Sequence, residues 1–77
     1  MEREYSDTLT IEMSGSELFE MVTALISRAE MFIDRRAPKA VVNLTISRAE
    51  KFNQILKGSG YDHWEDEKFM NLKARAV

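Results

Sequence analysis

Ser59, Asp62 and His63 fall within five residues of one another and supply the residue types of a nucleophile, an orienting acid and a base. Such a trio works only where a scaffold fixes its geometry, and Gly58 and Gly60 beside it favour turns over preorganisation. His63 is the single histidine and cysteine is absent, so the chain has neither a paired-histidine nor a thiolate metal site. It carries no glycine-rich phosphate loop and no nucleophile elbow. These residues point to binding rather than catalysis, with no cofactor and no metal expected.

The chemistry suited to binding lies elsewhere. Arg35, Arg36, Lys39, Arg48 and Lys51 gather bases around one proline-containing segment, and guanidinium groups pair bidentately with carboxylate or phosphate. The segment from Tyr61 to Glu67 joins two aromatics to four acids. Aromatics on a polar loop give large contact area at low entropy cost. Tyr61 is read as the exposed anchor and Trp64 as a staple against the element that follows. The expected partner-binding residues are therefore Arg35, Arg36, Lys39, Arg48 and Tyr61.

Charge is divided along the chain. Residues 1–34 hold eight acids against two bases and sum to −6, whereas residues 35–77 sum to +4, for a total of −2. That asymmetry suits steering of an anionic partner or head-to-tail self-association.

The elements that must position these groups can be read from periodicity. Thr8 to Met13 alternates apolar and polar residues, the pattern of a half-buried strand. Ser14 to Glu17 has the spacing of a capping box, after which Leu18, Val22, Leu25, Ala29 and Phe32 line one helical face. Pro38 disfavours helical geometry at Ala37, so this helix should stop near Arg36. Ala40 to Ile46 fits either a helical stripe or a strand. Its β-branched Val41, Val42, Thr45 and Ile46, and a second capping-box pattern from Ser47 to Glu50, favour the strand. A short helix from Arg48 to Lys57 would then end at a glycine free to take positive φ, and Glu65 to Ala76 forms a further helix. The expected architecture is a small α+β domain in the order strand, helix, strand, helix, helix. The alternative is a mostly α fold built on a long helical hairpin.

Seven residues from Ile26 to Phe32 recur from Ile46 to Phe52 with six identities. In the strand reading Ser27 lies mid-helix and Ser47 at a helix start, so the repeat does not imply equal structure. Two copies fall short of the three or so that a solenoid needs.

Residues 41–76, read as a short strand, two helices and a glycine-containing connection, loosely resemble a ribbon-helix-helix repressor. That resemblance implies a dimer whose paired strands enter the major groove, with Val41, Asn43 and Thr45 reading bases and Lys39 and Arg48 near phosphates.

Chains of this length, 77 residues, hold one domain, here 1–77 with 1–7 as a flexible N-terminus. Below about 80 residues a single core seldom suffices without a disulfide, a metal or a partner chain, so a homodimer or higher homo-oligomer is expected. The charged N-terminus and the lack of a long apolar run suit a cytoplasmic protein with no membrane association. The leading expectation is a non-enzymatic binding protein that occludes or sequesters a protein partner or other anionic ligand, in the manner of small phage-encoded inhibitors. A nucleic-acid-binding regulator is the alternative.

Overall fold

The computed structural model describes residues 12–76, which form three helices: α1 (Gly15–Asp34), α2 (Lys39–Gly58) and α3 (Asp66–Arg75). α1 and α2 make an antiparallel hairpin, and α3 packs across both. Most of the expected first strand lies outside the described residues.

α1 begins as its sequence requires. The Ser14 backbone N–H donates to Glu17 Oε1 at 2.9 Å, and the Glu17 N–H donates to Ser14 Oγ at 3.1 Å, completing the capping box. The helix ends in a Schellman motif, with Ala37 N–H donating to the Phe32 carbonyl and Arg36 N–H to that of Ile33. Arg36 occupies the left-handed position at φ 57°, which costs a residue bearing a Cβ about 1–2 kcal/mol. Pro38 closes the turn as the N-cap of α2, and offers no side-chain cap.

The α+β expectation is overturned here. Residues 40–46 are helical, there is no strand among the described residues, and the helical-hairpin alternative describes the fold. The reason is tertiary. A strand would bury Val42, Leu44 and Ile46 and expose Thr45. Instead Val42, Thr45, Ile46, Ala49, Asn53 and Leu56 are buried at helical spacing, while Leu44 is 52% exposed. Burial of that face outweighs the weak penalty for β-branched residues in a helix. Thr45 meets its own polar requirement by donating its hydroxyl to the Val41 carbonyl at 3.0 Å. The expected start at Arg48 is corrected with it. Ser47 lies mid-helix and caps nothing, and Glu50 instead meets Lys73 of α3 at 2.9 Å.

The seven-residue repeat has equal structure in both copies. Ile26 and Ala29 are buried in α1, Ile46 and Ala49 in α2, all within one core. Phe32 and Phe52 are both half-buried against it. A hairpin joining Asp34 to Lys39 sets Ile26 near the level of Ile46, so the copies are related by an approximate two-fold axis normal to the hairpin. α3 lies over this pair and answers both copies: Lys68 meets Glu30 at 3.1 Å and Lys73 meets Glu50. Both pairs are partly exposed and contribute about 1 kcal/mol or less each. Phe69, Leu72 and Ala76 carry the apolar part of the docking.

α2 also ends in a Schellman motif, in which Tyr61 N–H donates to the Leu56 carbonyl and Gly60 N–H to that of Lys57. Gly60 takes φ 72° without penalty, as expected of the glycine here. The expected third helix from Glu65 to Ala76 is present as α3, one residue shorter at each end.

Candidate functional surface

Hairpin geometry separates the five expected partner-binding residues. Arg35 and Arg36 lie in the turn and Lys39 opens α2, all exposed at the closed end of the hairpin. Arg48 is exposed about nine residues farther along α2, roughly 13 Å at 1.5 Å per residue. Tyr61 stands at the opposite end. Its ring lies over Gly15, where an added Cβ would come within 2.5 Å of the aromatic carbons. A helix of 20 residues spans about 30 Å, so Tyr61 does not share a surface with Arg35 and Arg36.

Trp64 is a structural staple, though it reaches farther than its own helix. The indole stacks on Phe19 of α1 at 6.0 Å between centroids, and its Nε1–H donates to Thr23 at 3.0 Å. Lys68 Nζ lies 5.8 Å from the ring. Behind it, fully buried Asn53 grips the Trp64 backbone twice: Nδ2–H donates to the carbonyl at 2.9 Å and Oδ1 accepts the N–H at 2.8 Å. Sequence reasoning missed Asn53. Its signal is a polar residue in the buried phase of α2, a phase that shows only when the helix is taken from Lys39.

Ser59 and His63 are not joined. The Ser59 hydroxyl donates to the Ile55 carbonyl at 2.9 Å, and His63 Nδ1 lies 2.8 Å from the Tyr61 carbonyl. A cleft of about 180 Å³ lined by Lys57, His63 and Trp64 to Glu67 is smaller than the ~300–1,000 Å³ of ligand sites. Among the described residues no group of His, Asp or Glu is arranged to hold a metal ion, and no helix is long and apolar enough to cross a membrane.

The chain matches no family model, no curated protein and no solved structure.

Unpaired charge is partly sorted by position in the hairpin. The bases that bridge are Lys57, Lys68, Lys73 and Arg75, of which all but Lys57 belong to α3. Arg28, Arg35, Arg36, Lys39, Arg48 and Lys51 make no ion pair among the described residues and are exposed, with Arg28, Arg35, Arg36 and Lys39 in the closed half of the hairpin, Arg48 at its middle and Lys51 beyond it. Glu12, Glu20, Asp62, Glu65 and Glu67 are likewise unpaired, and they belong to the open end. Glu17 stands with them, its carboxyl held below the usual carboxylate value by the hydrogen bond from the Ser14 backbone and, secondarily, by that with the Ser14 side chain.

The strand on which the ribbon-helix-helix resemblance depends is a helix. Val41 and Asn43 are exposed on α2, Thr45 is buried, and no ribbon is formed for a major groove.

Proposed function

We propose that this chain is a non-enzymatic binding protein that captures a partner bearing clustered carboxylates, and so occludes it, through the basic turn of Arg35, Arg36 and Lys39. The observation that carries this reading is the segregation of unpaired charge: three cations share a turn with no acid answering them, because Asp34, the nearest acid, is engaged by Arg75 at 3.8 Å. The left-handed conformation of Arg36 supports the same reading. Glycine would fit that position at no cost, so an arginine there trades stability for a projecting guanidinium. Guanidinium groups pair bidentately with carboxylate and phosphate alike, so an acidic protein surface is the proposed partner and duplex DNA is the competing outcome of the test. Self-association belongs to the same proposal, since a core this small ordinarily needs a partner chain.

The test uses a fluorescent glutamate-rich peptide and a 20-base-pair duplex as probes, with anisotropy read across a salt series. The peptide should bind the native chain, and the variant Arg35→Ala with Arg36→Gly should lose at least ten-fold in affinity. Preferential duplex binding with a steep salt slope would replace this function with nucleic-acid binding. Unchanged peptide binding by the variant would remove the turn from the site.

A further inference from the structure

Three of the seven large apolar side chains left exposed among the described residues share one helix face. Val41, Leu44 and Ile55 are 40%, 52% and 50% exposed and fall on one stripe of α2, where the steps 41, 44, 48, 51, 55 alternate three and four as in a coiled-coil seam. The two middle positions are Arg48 and Lys51, exposed and unpaired among the described residues. α1 carries a stripe of the same period on the side away from the core: Glu17, Glu20, Ala24, Ser27 and Met31, every one exposed. One stripe is apolar with a basic centre. The other is acidic at Glu17 and Glu20, small at Ala24 and Ser27, and ends in Met31.

We infer that the exposed stripe of α2 docks antiparallel against the exposed stripe of α1 in a second copy of this chain. The antiparallel register sets Lys51 against Glu17, Arg48 against Glu20, Leu44 against Ala24 and Val41 against Ser27 of the next copy. Both charge pairs are then opposite in sign, and Leu44 enters a position kept small by alanine. A parallel register that retained the charge pairs would carry both Val41 and Leu44 past the start of α1, whereas the antiparallel one carries only Ile55 past it, to the level of exposed Met13. Pairing α2 with α2 of another copy would set Arg48 and Lys51 among themselves, which like-charge repulsion disfavours. Because the two stripes lie on different helices, the contact is heterologous, and copies add head to tail until a ring closes or a filament grows. The inference deepens the self-association reading but does not involve Arg35, Arg36 or Lys39, so it can fail while the basic turn stands.

Sedimentation equilibrium from 10 μM to 1 mM tests it with Arg48→Glu, Glu20→Arg and the two combined. The native chain should associate beyond a dimer as concentration rises. Each single reversal should weaken association at least ten-fold, and the combined reversal should restore it, because the pair is remade with opposite polarity. The absence of native cysteine allows a second reading by oxidation. Ala24→Cys with Leu44→Cys should give a ladder of cross-linked copies on a non-reducing gel, while Leu44→Cys alone should stay uncross-linked. A native chain that remains monomeric at 1 mM overturns the inference, as does a single reversal without effect or a dimer formed by Leu44→Cys alone.

Discussion

The two ends of the hairpin are built from similar parts and put to opposite use. Each holds a Schellman turn with a residue at positive φ, Arg36 at one end and Gly60 at the other. At the open end several side chains are committed to structure, in the capping box, the Asn53 clamp, the Trp64 stack on Phe19 and the Tyr61 ring on Gly15, beside acids that stay unpaired among the described residues. At the closed end Pro38 offers no side-chain cap, and the charges of Arg35, Arg36 and Lys39 make no ion pair among the described residues. Trp64 is tied to the fold, Tyr61 lies on Gly15 yet stays 43% exposed as expected, and the basic residues of the closed end remain available for contact.

The open end should therefore be the more fragile. Asn53→Ala would strip both hydrogen bonds from the Trp64 backbone inside the protein, and each unsatisfied group costs about 1–3 kcal/mol. Chemical denaturation should show a loss of about 2–4 kcal/mol, together with weakened protection of α3 amides in hydrogen exchange. A loss below about 1 kcal/mol would mean that the clamp is not what holds α3.

At the closed end the sign reverses. Arg36→Gly should leave stability unchanged or raise it by up to about 1 kcal/mol, because glycine accepts φ 57° without the Cβ penalty. Arg36→Val should lower it by a similar amount. Thermal unfolding of the two variants checks the pair, and equal midpoints would remove strain from the description of this turn.

A smaller contrast concerns pH. Ser14→Ala should cost about 1 kcal/mol as a lost N-cap. The Glu17 carboxyl is held below its ordinary value of 4.5 in the folded chain, so the stabilisation it brings is complete above that value and is lost as pH falls through the lower, folded one. Thermal midpoints of the native chain and Glu17→Gln should therefore converge as pH falls below 4.5. A constant gap between those two down to pH 2 would mean that the ionised Glu17 carboxylate adds nothing to the cap.

Local signals in the sequence proved sufficient where they agreed with one another. The cap at Ser14, the apolar stripe of α1, the stop before Pro38 and the glycine after α2 all specify the same helix ends that the fold adopts. They misled at residues 40–46, where β-branched propensity and a capping-box pattern at Ser47 pointed to a strand. Neither effect is strong, and a buried face of six positions along α2 overrode both. The copy of residues 26–32 at 46–52 held the missing information. A segment read firmly as helix in the first copy argues for helix in the second, and the buried phase then includes Asn53. The candidate surface was legible only in part. Arg35, Arg36 and Lys39 are together because they are neighbours in sequence, whereas the distance of Tyr61 from them follows from the antiparallel turn, which the strand reading concealed.

The central claim is that the closed end binds and the open end holds the fold. It is tested most directly by amide chemical-shift mapping of the labelled chain titrated with the glutamate-rich peptide. The account predicts that the largest shifts fall between Arg35 and Lys39, with residues 61–67 unmoved. Shifts centred on Tyr61 and Trp64, with the turn silent, would contradict it.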